Sequence, residues 1–288
     1  MKQAFSILGD ADSYAHMNGR RIQYEGYPSQ EVYDNDYMAR STIPNDISEK
    51  KHILFLGDSF IFGDNLERHE IVSAHFEKIL NNDEYCVINL GVNGSSFEHA
   101  TLRLQQWCNT FPDNIHSVYV GITALSRSTR WTVRPDGDNE EYGDELDNDM
   151  YSQWIPFPEN IQRFDFLLNM APPKKEFPIE HKSYLHSLGL ISKINCLHRF
   201  ETNLMHVKSM ASVHNFNVYA FHSIRDMIVD AEVDVIKTHI ESNNFIYNKR
   251  DLLTGSGKGS FHLPCRHWNT TGCEYVGNKL LDETKHWY

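Results

Sequence analysis

Four short runs constrain this chain more than anything else in it: "HILFLG" (52–57), "YCVINLG" (85–91), "SVYVGI" (117–122) and "FNVYAFH" (216–222). They are rich in β-branched and aromatic residues and lack the strict apolar-polar alternation of a half-exposed strand. Runs of this kind are read as strands buried on both faces, as in a parallel sheet. The stretches around them read as helices over 70–81, 96–110, 191–215, 227–242 and 271–284. In the first of these, Ile71, Ala74, His75, Lys78 and Ile79 recur at helical spacing, which puts the apolar members on one face. Strands alternating with helices predict an α/β fold whose central parallel sheet is covered on both sides. Ligands of such sheets gather outside the carboxyl ends of the strands.

The alternation breaks between about 131 and 190, where "WIPFPEN" and "MAPPKKEFPIEH" concentrate proline and aromatic residues. This stretch reads as an insertion after the third strand, placed to cap the carboxyl edge of the sheet. Residues 1–50 read as an N-terminal extension, and 51–288 as the main domain carrying the insertion. A chain of 288 residues with 40% hydrophobic content has material for one large core of this type.

Composition narrows the function classes. The formal charge of −12 argues against a phosphate-backbone binder, which would present a basic face, so no nucleic-acid partner is expected. No stretch reaches the ~18 apolar residues of a membrane span. The first apolar run, "AFSILG", is too short for a signal peptide and ends in "DADS". The five cysteines are odd in number and scattered, which fits a reducing compartment. These features set the expectation of a cytoplasmic protein.

Ser59 follows the first strand in "ILFLGDSFIFGDN", ahead of a helical stretch. A serine there lies at the strand's carboxyl end, beside helix N-terminal amides suited to holding an oxyanion. Gly57 leaves room for a sharp turn, and Asp58 reads as tying down that turn rather than doing chemistry. By itself the tripeptide also describes an ordinary capped turn.

Three further stretches change the weight of that serine. Together, "ILFLGDSFIFGDN", "VINLGVNGSS", "VYVGITALSR" and "HWNTTG" resemble the SGNH (GDSL-type) hydrolases over roughly residues 53–281. The resemblance implies a flavodoxin-like three-layer α/β/α sandwich and a serine esterase without a cofactor. It places the nucleophile at Ser59, the base at His267 and oxyanion donors at the amides of Ser59 and Gly94. The third motif departs from the family, with Thr123 in the approximate place of an asparagine donor. The combination with Arg127 resembles divergent members from tailed bacteriophages, which implies a virion-associated location as the alternative to a cytoplasmic one. The base motif departs too, because Pro264 and Cys265 stand where an aspartate is expected. A backbone carbonyl near Leu263 or Pro264, His262, or an acid from the insertion is then expected to orient His267. The expected substrate is a small-molecule or glycan ester, with acetyl on a carbohydrate as the leading case. An O-acyltransferase using the same pair, and a catalytically silent binding module, are the alternatives.

Several other patterns have plainer readings. "DGDNEEYGDELDND" (136–149) carries eight carboxylates and places Asp136, Asp138, Glu140, Asp144 and Asp147 at calcium-loop positions. Glu141 occupies the turn position that needs glycine, and Asp147 replaces the closing glutamate, so the segment reads as a solvated acidic loop. His262, Cys265, His267 and Cys273 offer zinc donors, but their spacing matches no common finger and no metal is expected. "TGSGKGS" (254–260) lacks the first glycine of a phosphate loop, Leu252 standing in its place, and reads as a loop. Trp131, Trp154, Phe157, Phe164 and Phe166 read as core of the insertion, with a groove above Ser59 as the alternative.

Overall fold

The computed structural model describes residues 37, 39–92, 95–123, 193–223, 242, 244–253, 261 and 267–288. The acidic loop, the aromatic insertion, residues 227–241 of the predicted fourth helix, "TGSGKGS", His262, Cys265 and Gly94 therefore lie outside the described residues.

In chain order the elements are β1 (Lys51–Leu56), α1 (Ser59–Phe62), α2 (Val72–Leu80), β2 (Tyr85–Asn89), α3 (Phe97–Thr110), β3 (Ile115–Ile122), α4 (Lys193–His214), β4 (Asn217–His222), β5 (Phe245–Asp251) and α5 (Thr270–Thr284). The strands form one sheet in the order β2-β1-β3-β4-β5. Every neighbouring pair is parallel. This is the flavodoxin-like order, and the chain reverses direction across the sheet at β1 and β3.

The side-chain period of two sorts each strand between two cores. Leu54, Leu56, Ile88, Val118, Val120, Val218 and Ala220 face one layer, in which Leu104 and Trp107 of α3 and Leu204 and Val207 of α4 are buried. Ile53, Phe55, Val87, Tyr119, Tyr219 and Phe221 face the other, built on Val72 and Phe76 of α2 and Val276 and Leu280 of α5. The result is a three-layer α/β/α sandwich, which explains why the strand sequences read as apolar runs. Gly277 lets α2 and α5 approach closely, since a Cβ there would stand 3.2 Å from the Val72 carbonyl oxygen. Ser96 caps α3 by accepting from the His99 amide at 3.2 Å.

Two elements differ from the sequence reading. β5 was not anticipated: "FIYNKRD" is half polar, because it is the edge strand and only one side pairs, with β4. The helix expected over 70–81 is shorter, since residues 68–70 form a separate 3-10 turn and Asn81 closes α2 in a left-handed conformation at φ 45°. Among the described residues no helix is long and apolar enough to cross a membrane.

Candidate active site

The first βα turn presents Ser59 because its backbone is forced to turn at once. Gly57 has φ 152°, and a Cβ there would sit 2.6 Å from Ile61 Cγ1 and 2.7 Å from the Gly121 carbonyl oxygen, so no larger residue fits. Ser59 is then the first residue of α1, whose N–H has no acceptor inside the helix. Its burial is nearly complete, at 4% exposure.

Asp58 acts as the anchor of this turn. Its Oδ1 accepts from the Phe60 amide at 3.2 Å and from Ser223 Oγ at 3.2 Å, and its Oδ2 accepts from Thr123 Oγ1 at 2.7 Å. Thr123 follows β3 and Ser223 follows β4, so one buried carboxylate ties together the ends of three strands. Asn89, at the end of β2, holds α1 from the other side. Its Nδ2 donates to the Ile61 carbonyl at 2.7 Å and to Ser73 Oγ at 3.2 Å, while its Oδ1 accepts from the Gly91 amide at 2.9 Å.

The Thr123 side chain, expected to donate to an oxyanion, faces Asp58. A hydroxyl has one proton, and here Thr123 gives it to the Asp58 carboxylate.

His267 arrives from the far end of the chain. Trp268, at 2% exposure, is sunk into the core beside it, and Asn269 caps α5 by accepting from the Gly272 amide at 2.8 Å. "HWN" is thus a buried anchor and a cap, which together leave the preceding imidazole fixed at the lip of the sheet. Its Nε2 stands 2.8 Å from Ser59 Oγ, across 208 residues of sequence. The Phe60 ring packs against both neighbours, with centroids 5.0 Å from His267 and 5.2 Å from Trp268.

The other ring nitrogen faces a residue that the sequence did not single out. Asp64 Oδ2 lies 3.5 Å from His267 Nδ1, with side chains 11% and 17% exposed respectively. This carboxylate comes from the serine's own turn, five residues after Ser59. Gly63 (φ 79°) and Asn65 (φ 62°), both left-handed, bracket Asp64. That pattern, an acid between two residues tolerant of positive φ just after a nucleophile turn, is the signal that could have found it. His262, the other expected orienting group, lies outside the described residues, as does Gly94.

The zinc alternative finds no support in the described half of its donor set. Cys273 is fully buried in the α2/α5 core, and burial pushes its thiol up to about 12, away from the thiolate that zinc requires. Among the described residues no group of three or more His, Cys, Asp and Glu is placed to hold a metal.

No family model matches the chain, and no curated protein matches it. Among solved structures it overlaps the esterase EstA from Pseudoalteromonas sp., inhibited by monoethylphosphonate, at 13% identity and a TM-score of 0.46, covering 83% of this chain and 98% of that one. TesA overlaps at 11% identity and a TM-score of 0.47, covering 83% of this chain and 100% of that one. A lipolytic G-D-S-L family protein from Veillonella parvula overlaps at 12% identity and a TM-score of 0.45, covering 81% and 97%. Overlaps this loose leave the chemistry to be argued from the side chains of this chain alone.

Proposed function

We propose that the chain is a serine esterase working through an acyl-enzyme, with Ser59 as nucleophile, His267 as base and Asp64 as the acid that orients the imidazole. The observation that carries this reading is the 2.8 Å contact between Ser59 Oγ and His267 Nε2 at the carboxyl end of β1, beside the switch point of the sheet. Asp64 at Nδ1 favours the tautomer that keeps Nε2 free to accept the serine proton.

In the first step Ser59 Oγ bonds to the ester carbonyl carbon as its proton passes to Nε2. The tetrahedral oxyanion is held by the amides of Ser59 and Gly94, without the Thr123 hydroxyl. The C–O bond to the alcohol then breaks, and the leaving oxygen takes the proton from Nε2. Water repeats the sequence in reverse roles to release the acid and restore Ser59. Near-complete burial of Ser59 supports a small acyl group, and acetyl on a carbohydrate is the substrate class we assign.

Hydrolysis of p-nitrophenyl esters tests the reading. Acetate should be turned over, with rates falling as the acyl chain lengthens, and Ser59→Ala should reduce turnover to background. A Ser59→Ala protein as active as the wild type would remove Ser59 from the mechanism. Faster hydrolysis of octanoate than of acetate would remove the small-acyl assignment.

A further inference from the structure

Asp64 sits on a tight loop after a helix of four residues, between two left-handed residues, Gly63 and Asn65. The loop's own backbone closes the turn, with the Gly63 and Asp64 amides both donating to the Ser59 carbonyl at 3.0 Å, and Leu66 is buried behind it. The loop must also hold a carboxylate opposite Nδ1 of a histidine that arrives from the far end of the chain. A further hold comes from the N-terminal segment. Arg40 is 1% exposed, and its Nη1 donates to the carbonyl oxygens of Phe62 and Gly63, both at 2.5 Å, while its Nη2 donates to that of Leu66. These three carbonyls bracket Asp64 on both sides. The guanidinium also lies over the Phe62 ring, 4.3 Å from its centroid. Arg40 is itself fixed to the sheet: its amide donates to the Asn89 carbonyl at 2.8 Å, and Ser41 Oγ accepts from the Asn89 amide at 2.7 Å.

We propose that Arg40 is a positioning residue that sets Asp64 against His267, so that a segment outside the catalytic motifs governs how well the base is oriented. This rests on the Ser59–His267–Asp64 reading above. The planar fork is what suits the task. Its donors meet carbonyls on either side of the acid at once, whereas an ammonium is a point charge that cannot hold the same three in one plane. Arg40→Lys therefore keeps the charge and loosens the loop. A displacement of about 1 Å in a catalytic group can cost about 10²-fold in rate.

The test is a double-mutant cycle on the full chain, read as the rate at which a fluorophosphonate probe labels Ser59. Arg40→Lys should slow labelling about tenfold in the wild-type background, and change it by less than about twofold in the Asp64→Asn background, because an effect routed through Asp64 disappears with it. The acid limb of the labelling rate against pH should move to lower pH in Arg40→Lys, in the same direction as in Asp64→Asn. Near-UV circular dichroism reports folding, and Arg40→Gln is the second variant. Equal slowing in both backgrounds, or wild-type labelling by a folded Arg40→Lys protein, overturns the proposal. So does failure of both Arg40 variants to fold, which would make the residue a structural one. A wild type that is folded but unlabelled at Ser59 instead removes the nucleophile reading, and this proposal with it.

Discussion

Replacing Asp64 with asparagine removes one charge and keeps the shape of the side chain, so it isolates what the carboxylate does for His267. Serine attack puts a positive charge on the imidazole, and Asp64 Oδ2 stands 3.5 Å from Nδ1. Two unit charges at that distance attract by about 5 kcal/mol at an effective dielectric of about 20, and by about 1 kcal/mol in the dielectric of bulk water. With side-chain exposures of 17% and 11%, the pair lies between these limits. At about 1.4 kcal/mol per tenfold, the loss falls between about tenfold and about 3,000-fold in turnover, and we expect about 10²-fold. Hydrolysis of p-nitrophenyl acetate by purified Asp64→Asn protein should show a lowered kcat with little change in KM. The pH profile gives a second reading. A neighbouring carboxylate favours the protonated imidazole and raises its pKa, so without Asp64 the acid limb should move to lower pH. A folded variant with kcat within about twofold of wild type and an unmoved acid limb would refute the assignment of Asp64.

Other expectations follow from the same geometry. Thr123→Val takes one donor from the buried Asp58 and should destabilise the fold by about 1–3 kcal/mol in urea unfolding. Its rate per folded molecule should fall far less than the ~10²-fold typical of a lost oxyanion donor, and a loss of that size would return the hydroxyl to the oxyanion hole. Gly57→Ala would drive a methyl to 2.6 Å from Ile61 Cγ1, so it should give insoluble or unfolded protein, and a stable, active variant would contradict the turn described here. Burial pushes the thiols of Cys86, Cys108 and Cys273 up to about 12, so peptide mapping after a thiol reagent near neutral pH should find all three unmodified until the protein is denatured.

The layers of the fold were legible because buried parallel strands advertise themselves. β1 to β4 are apolar on both faces, and no other element type fits runs so short between helical stretches. β5 was hidden by its composition, since the polar "NKRD" of this edge strand resembles a loop. In the site, Ser59 and His267 were singled out through the family resemblance of their motifs, since the Gly-Asp-Ser tripeptide alone also fits an ordinary capped turn. Asp64 and Arg40 were not. An acid inside "FGDN" reads as a turn residue, and its approach to His267 depends on contacts far apart in sequence. Arg40 lies in the stretch read as an N-terminal extension, and its three acceptors, all backbone carbonyls, are seen only in the fold. The Thr123 contact was hidden for a similar reason, since only the folded chain shows its hydroxyl donating to Asp58.

The central claim is that Ser59 is a nucleophile activated by His267, and stoichiometric labelling by a fluorophosphonate tests it most directly. Intact mass and peptide mapping of the wild type should show one adduct per chain, on Ser59. Ser59→Ala should take none, and His267→Ala should label far more slowly while remaining folded. A folded wild-type protein that takes no adduct, or a Ser59→Ala protein labelled to the same extent, would contradict the account.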